Sequence, residues 1–597
     1  MAGQDNQIEI GPAVARAHRA QMYRRQTDDP VHRMLWIYSL DPAESRLSGA
    51  RVKVPVPYEP LDPGPTGSLF KVVGYDSDSQ TTLPPVDLED RRIAIASGIE
   101  PSPTDYRFQM QMVYAVAMRT YDTFRRALGR ELHWAFDHPK EEPSRLELYP
   151  FWNCRQNASY SREAKAIHFG WFRAKEAFGR NLKGGKVFTS LSHDVVVHEL
   201  THAFLDGLRG HFLVPYHHDT FAFHEAFADL VAIFTHFSNR AVVKKQIAMA
   251  RGEISKAKLL FDLARQFGHT TRNDAEALRS ALELTDDDNV ITYDPKMEIH
   301  KLGAVLVAAV FEAFTIVFTR KTRTLLKLAT GGTGELPKGD IPDLLCDMLA
   351  KAASDLAKQF LTICIRAIDY CPPVAMTFGD YLRAMITADF DIVPDDPWGY
   401  REALVDAFIK RRIAIEGVDT LSEKSLLWQP TMGDLNSTNE LGPEPDTFGS
   451  KVDHADRKYE ARAQRVVSYL SKIEIPRTLG FTRPSDCELA GEPGPIVVES
   501  ARVSRAASPD GALSQHLVAE VSQTIPVKRN NLTFDCTQGS TIIIDSNGRV
   551  RYVVTKNVDH IVKAMNSFQG NFESAWVTEN GRMKAVDSAF CVWHGKK

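Results

Sequence analysis

The sequence predicts an α+β fold, because strand-like and helix-like stretches occupy separate parts of the chain. Short apolar runs broken by proline dominate the first 190 residues, helical periodicity recurs from 190 to about 412, and strand-like alternation returns after 494. The 597 residues are 43% hydrophobic and 25% charged, as in an ordinary folded protein of about two to four domains. We therefore expect a helical lobe flanked by two strand-rich parts.

The N-terminal part reads as a mobile tail followed by a strand-rich lobe with one helix. Residues 1–32 are polar and basic, which predicts the tail, and 33–190 form the lobe. Helical periodicity over 107–128 ends at Gly129, a typical helix terminator. We expect strands in the runs MLWIYSL (34–40), RVKVPVPYEP (51–60) and SLFKVVGYDS (68–77), and near 131–136, 145–150 and 163–172.

The middle and C-terminal parts divide into a helical lobe (191–415), a polar linker (416–460) and a strand-rich domain (461–597). In the last of these, Asp545-Ser-Asn-Gly548 between apolar runs predicts a hairpin turn. Helices are predicted over 192–208, 220–238, 241–266, 274–284, 299–320, 341–369, 378–388 and 398–412.

Charge and apolar runs exclude some classes of function. A net charge of −4 does not favour nucleic acid or anionic membranes as partners. The most apolar run, 302–311, is shorter than the ~18 residues of a membrane span, so we expect it in the core. The first 26 residues contain no signal-peptide core, and the seven cysteines lack a disulfide-like spacing, so we expect reduced thiols and a cytoplasmic protein.

The strongest chemical signal is the motif His198-Glu199-Leu200-Thr201-His202, an HExxH on a predicted helix. At about 3.6 residues per turn the two histidines lie one turn apart on the same face, so both imidazoles can bind one Zn²⁺. Glu199 points beside that pair, where its carboxylate can reach a metal-bound water and act as a general base.

A third ligand is expected from the next helix, FHEAFADLVAIF, which carries Glu225 and Asp229 four residues apart. If the two helices pack antiparallel, the Glu225 carboxylate can reach the metal. Asp229 can then accept the N–H of a ligand histidine and fix its tautomer. The alternative is a buried polar network without metal.

These two segments resemble the thermolysin family of zinc metallopeptidases, among the gluzincins, whose pattern is HExxH followed by a Glu-x-x-x-Asp helix. The resemblance is carried by DVVVHELTHAFLDG and AFHEAFADL, extends over about 157–320, and implies a thermolysin-like catalytic unit of two lobes. It implies Zn²⁺ ligation by His198, His202 and Glu225, general-base catalysis by Glu199, and support of His198 by Asp229.

The resemblance also implies roles for residues outside the two motifs. Tyr216 and His300 correspond to groups that stabilise the tetrahedral intermediate, with Asp294 the nearest candidate to orient His300. Asn157 and Ala158 correspond to the edge that holds an extended peptide. His224 stands beside the ligands where the family usually has Asn, and His236 replaces a calcium-binding glutamate, so the usual double calcium site is not expected.

Val195 lies one turn before His198, so we expect it to line the pocket for the residue after the scissile bond. The predicted function is a zinc-dependent endopeptidase acting on a peptide or protein. The alternative is a catalytically silent peptide-binding or regulatory protein with the same fold. Another gluzincin reaction, such as aminopeptidase or epoxide-hydrolase chemistry, is a third reading, and the absence of a GxMEN-like segment argues against the aminopeptidase.

Overall fold

The fold is α+β, as predicted, in a computed structural model of the chain. The structure describes residues 7–585 apart from 13, 15–21, 45–48, 138–143, 154–156, 176, 178–181, 215, 255–261, 264–278, 281–289, 337–338, 430–454, 474, 482–487, 509–510, 512, 530–531, 568–575 and 580.

The first 190 residues form short strands around one long helix. The helices are α1 (Arg91–Ile95) and α2 (Tyr106–Leu128), and α2 ends at Gly129 with φ of 64°, where glycine avoids a steric penalty. The strands are β1 (Ile8–Ile10), β2 (His32–Tyr38), β3 (Arg51–Pro57), β4 (Phe70–Val72), β5 (Tyr75–Asp76), β6 (Thr81–Thr82), β7 (Leu146–Tyr149), β8 (Ala158–Ser161), β9 (Ala166–Phe169), β10 (Trp171–Arg173) and β11 (Lys186–Phe188).

Strand β8 is the strand of this lobe that lies beside the candidate site. The order β4-β7-β9-β8 makes one sheet in which β8 is the outer strand and pairs antiparallel with β9. The strand predicted near 131–136 is wrong, because this segment forms a turn and loop.

The helical lobe follows the prediction closely. Its elements are α3 (His193–Leu208), α4 (His218–His236), α5 (Arg240–Met249), β12 (Asp262–Leu263), β13 (Arg279–Ser280), α6 (Ile299–Ala329), α7 (Asp343–Ala367), α8 (Phe378–Phe390), α9 (Tyr400–Lys410) and α10 (Glu423–Leu426). The helix predicted over 241–266 stops at Met249, since Arg251 and Gly252 adopt positive φ. The helix predicted over 274–284 lies mostly outside the described residues, and its described part pairs as β13.

Helix α6 packs directly on α4. A Cβ at Gly303 would lie 2.9 Å from the carbonyl oxygen of Ala222, so the absence of a side chain permits this close approach. By length and composition α6 could cross a membrane, but 72% of its most apolar window is buried inside the protein. A core helix has the same property, so this is weak evidence for a span.

The C-terminal part is a twisted sheet with helices on its flanks. Its elements are α11 (Ala455–Leu470), α12 (Ile475–Leu479), β14 (Glu488–Leu489), β15 (Ile496–Ala507), β16 (Leu513–Arg529), β17 (Leu532–Ile544), β18 (Val550–Lys556), α13 (Val558–Ser567), β19 (Trp576–Glu579) and β20 (Arg582–Ala585). The hairpin predicted at Asp545–Gly548 joins β17 to β18. The predicted linker contains α10 and the start of α11, and 430–454 lie outside the described residues.

The N-terminal segment is not simply a tail. Strand β1 pairs in parallel with β15, with Ile8 opposite Ile496, and Val14 is buried against the same sheet. The prediction of a mobile tail over 1–32 is therefore wrong for these residues, because the apolar Ile8 and Ile10 add a strand to the edge of the C-terminal sheet.

Buried charges join the helical lobe to the C-terminal sheet and to the N-terminal lobe. Arg209, at the end of α3, lies 3.2 Å from Glu520 of β16 and donates to the carbonyl oxygen of Ile368. Arg130 forms a bidentate ion pair with Asp369, both N–O distances being 2.6 Å. The positive charge of Arg130 outweighs burial and lowers the pKa of Asp369 to about 2.

Candidate metal centre

The centre forms where α3 and α4 pack antiparallel. Asp194 at the start of α3 contacts His236 at the end of α4, whereas His202, further along α3, contacts His224, earlier in α4. The antiparallel packing places the HExxH face of α3 opposite Glu225 of α4, which is the arrangement that the predicted third ligand requires.

Three predicted ligands converge there. The Nε2 atoms of His198 and His202 lie 3.1 Å apart, and the Glu225 oxygens lie 3.6 Å from the former and 3.8 Å from the latter. Tetrahedral bonds of ~2.0–2.1 Å place ligand atoms about 3.3 Å apart, so these separations fit a zinc ion. Among the described residues, this group of ligand-type atoms that lie close to one another consists of these three side chains.

A carboxylate of α4 contacts the imidazole of His198 on the side away from the centre. Asp229 lies 2.9 Å from Nδ1 of His198, the nitrogen that faces away from Glu225. Burial opposes protonation of His198, but its hydrogen bonds to the Asp229 and Glu225 carboxylates outweigh burial and raise the pKa of this histidine. The site therefore has a negative potential that favours a bound cation.

The neighbour of His202 on α4 is His224. Nδ1 of His202 lies 3.4 Å from Nδ1 of His224, which is fully buried in α4. One of the two rings must therefore present a lone pair and the other an N–H. His224 thus contacts a ligand imidazole from the side opposite Glu225.

Glu199 faces the edge of the strand-rich lobe. Its Oε2 accepts a hydrogen bond from the backbone N–H of Tyr160, at 3.0 Å. Because backbone groups alternate along an antiparallel ladder, those of Ala158 and Tyr160 turn away from β9, and the Tyr160 N–H meets α3. The general-base candidate and the outer edge of β8 are therefore in contact.

A second carboxylate of α3 holds that edge in place. The Tyr160 hydroxyl donates to Asp206 at 2.7 Å, and Arg162 Nε donates to the same oxygen at 2.9 Å. Asp206 is fully buried, so these bonds tie β8 firmly to the metal-bearing helix.

His300 lies beside the three ligands rather than among them. It is the second residue of α6, and its Nε2 lies 3.4 Å from Oε2 of Glu225. Its Nδ1 lies 2.6 Å from Glu298, the N-cap residue of α6, whose carboxylate also accepts from the backbone N–H of His300. Glu298, not Asp294, therefore orients this ring; Asp294 accepts from the backbone N–H of Lys296 in the preceding turn.

The prediction for Tyr216 is wrong. Its hydroxyl accepts from the backbone N–H of Thr537 at 2.9 Å and donates to the carbonyl oxygen of Asp535. Burial raises the pKa of this phenol well above its ordinary value. The chain between α3 and α4 turns Tyr216 toward β17, so its hydroxyl is used in the contact with the C-terminal sheet.

The remaining residues predicted to contact substrate lie on α3 and at the start of β8. Val195 is half-buried on α3, one turn before His198. Asn157 precedes β8, and its carbonyl oxygen accepts from the N–H of Gly170. Ala158 is the first residue of the outer strand.

Sequence reasoning missed Glu298, Tyr160 and Asp206. A signal existed for Glu298, because an acidic residue two positions before His300 can cap a helix and reach its first turn. The pairing of Tyr160 with Asp206 depends on the packing of β8 against α3, for which the sequence has no local pattern.

No protein-family model and no curated protein matches this chain. The similarity to the thermolysin family therefore remains a resemblance of motifs, and the functional interpretation depends on the geometry of the centre.

Proposed function

We propose that this chain is a zinc-dependent endopeptidase with a thermolysin-like catalytic unit. The observation that carries the proposal is the convergence of the Glu225 carboxylate on both HExxH imidazoles, with separations of 3.1 to 3.8 Å between the ligand atoms. Two neutral imidazoles and a carboxylate are a typical ligand set of catalytic zinc. His198, His202 and Glu225 would hold the ion.

The chain's own residues supply the proton transfer and the charge stabilisation. When bound, zinc supplies Lewis-acid chemistry by acidifying a water molecule and polarising a carbonyl group. Glu199 takes the proton from the attacking water and delivers it to the leaving amine. His300, held by Glu298 through Nδ1, directs its Nε2 toward the centre, and the doubly protonated ring donates its Nε2–H to the oxyanion as it forms.

The outer edge of β8 supports a peptide as substrate. An extended chain can add to this edge by main-chain hydrogen bonds, using the outward groups of Ala158. A peptide on this edge lies next to Glu199, which Tyr160 already contacts from the same strand. Val195 lines the adjacent surface of α3, where an apolar side chain after the scissile bond would pack.

The proposal is tested with Glu199→Gln, which preserves shape and removes the base. We expect hydrolysis of an internally quenched peptide with both ends blocked to fall about 10²–10⁴-fold. Zinc content and thermal stability should stay at the wild-type values. The matched control is Glu402→Gln on α9, an exposed glutamate paired with Arg320, which should leave all three quantities unchanged.

Blocked peptides also separate an endopeptidase from an aminopeptidase, since only the former cuts them. Failure of the wild-type chain to cut any blocked peptide while it binds zinc would contradict the proposal.

One observation favours a second candidate, a silent peptide-binding protein. Glu199 is buried, and one of its oxygens is already used by the Tyr160 N–H. If this bond persists, Glu199 fixes the β8 edge and transfers no proton. This candidate predicts binding of blocked peptides without cleavage, and Glu199→Gln would then weaken that binding.

A further inference from the structure

A second group of ligand-type side chains lies at the other end of the α3–α4 pair. His193 and Asp194 begin α3, and His236 ends α4. All three are buried, and their three ligand atoms lie within 4.8 Å of one another. Asp194 contacts His236 through Oδ1 and Nε2, and the same oxygen lies 3.6 Å from Nδ1 of His193.

One atom of this group is left without a hydrogen bond. Nδ1 of His193 belongs to a side chain that is only 8% exposed. This buried nitrogen has no hydrogen-bond partner among the described residues. Buried polar atoms are normally satisfied, so an atom in this state that faces a carboxylate and a second imidazole indicates a missing ligand.

The donor set selects the class of ion. Calcium and magnesium prefer oxygen ligands, whereas two imidazoles and one carboxylate suit zinc and its neighbours in the first transition series. We propose that His193, Asp194 and His236 form a second site for Zn²⁺, which joins the start of α3 to the end of α4. The site shares no ligand with the centre built from His198, His202 and Glu225.

The position of the site gives it a structural role. Helices α3 and α4 carry the ligands of the first centre, and the second group joins the same two helices near one end of their contact. An ion there adds a cross-link between the two helices, so it stabilises the folded chain.

The experiment counts zinc in the full chain after chelation and reloading, by elemental analysis of protein freed from unbound metal. We expect two zinc ions per wild-type chain and one in His236→Gln. In His202→Ala, which disables the first centre, we expect one zinc ion and a zinc-dependent rise in Tm. Calcium should produce no such rise.

The double variant His202→Ala/His236→Gln should bind no zinc. If His236→Gln does not fold, the His202→Ala chain still gives the answer, because its remaining zinc can only occupy the second group. His202→Ala without zinc and without a Tm shift would overturn the proposal and leave a metal-free hydrogen-bonded triad. Two zinc ions in both single variants would also overturn it.

These outcomes are distinguishable from failure of the proposed peptidase function. A wild-type chain that binds two zinc ions and cuts no peptide would contradict the function and support the second site. A chain that cuts peptides with one zinc ion would do the reverse.

Discussion

Helices α3 and α4 hold two buried clusters that each contain two imidazoles and a ligand carboxylate, but the surroundings of the clusters differ. Beside His198, His202 and Glu225 lie a further glutamate on the same helix and an imidazole from α6. In the second cluster, Asp194 lies against two histidines, His193 and His236. The ligand-type side chains are alike, so the proposed peptidase function depends on the neighbours of the first cluster.

The ligand-type side chains of the two clusters are buried to a similar degree, with exposures of 1–11% in the first and 2–10% in the second. The neighbouring His300 of the first cluster is 14% exposed. The two clusters therefore differ in their neighbours and not in the burial of their ligand-type groups. Three substitutions test this contrast, in order of decreasing effect on activity.

The largest effect is expected from His300→Phe, which removes the neighbouring imidazole and keeps a ring. Loss of one oxyanion donor typically lowers kcat about 10²–10³-fold, and zinc content should not change because His300 is outside the ligand group. Peptide hydrolysis under saturating substrate measures kcat. A wild-type kcat in this variant would show that the ring serves only as a packing group at the start of α6.

A smaller effect is expected from Asp229→Asn, which keeps the hydrogen bond to His198 but removes the negative charge. Loss of such a partner typically costs about 10–100-fold in metal affinity or activity. Competition with a chromophoric chelator measures the affinity of the first centre, best in the His236→Gln background. Unchanged affinity would contradict the orienting role of the 2.9 Å contact.

The smallest effect on activity is expected from Tyr216→Phe. The backbone N–H of Thr537 loses its acceptor, which should lower the free energy of unfolding by about 1–3 kcal/mol. Hydrolysis should stay within about twofold of wild type because the hydroxyl contacts the C-terminal sheet. A loss of kcat comparable to that of His300→Phe, with unchanged stability, would return Tyr216 to the catalytic set.

Much of the first cluster could be predicted because it depends on local spacing. The HExxH face and the ligand on α4 follow from helical periodicity, and the end of α2 follows from Gly129. The position of Tyr216 could not be predicted, because the loop between α3 and α4 has no periodic pattern and its partner lies in β17.

The long-range pairing of strands could not be predicted from the sequence either. Strand β1 is three residues long and joins a strand near the other end of the chain, so no local run distinguishes it from a tail. Similarly, the second cluster combines residues from opposite ends of two helices, and only the antiparallel packing brings His236 to Asp194.

We propose that Glu225 completes a three-ligand zinc site with the two HExxH histidines. Anomalous diffraction at the zinc absorption edge, on crystals of the His236→Gln chain loaded with one equivalent of zinc, is the sharpest test of this ligand set. We expect a single peak within bonding distance of His198 Nε2, His202 Nε2 and a Glu225 oxygen, with no fourth protein ligand. A zinc peak beyond bonding distance of Glu225, or a zinc ion bound by a fourth protein side chain, would contradict this ligand set.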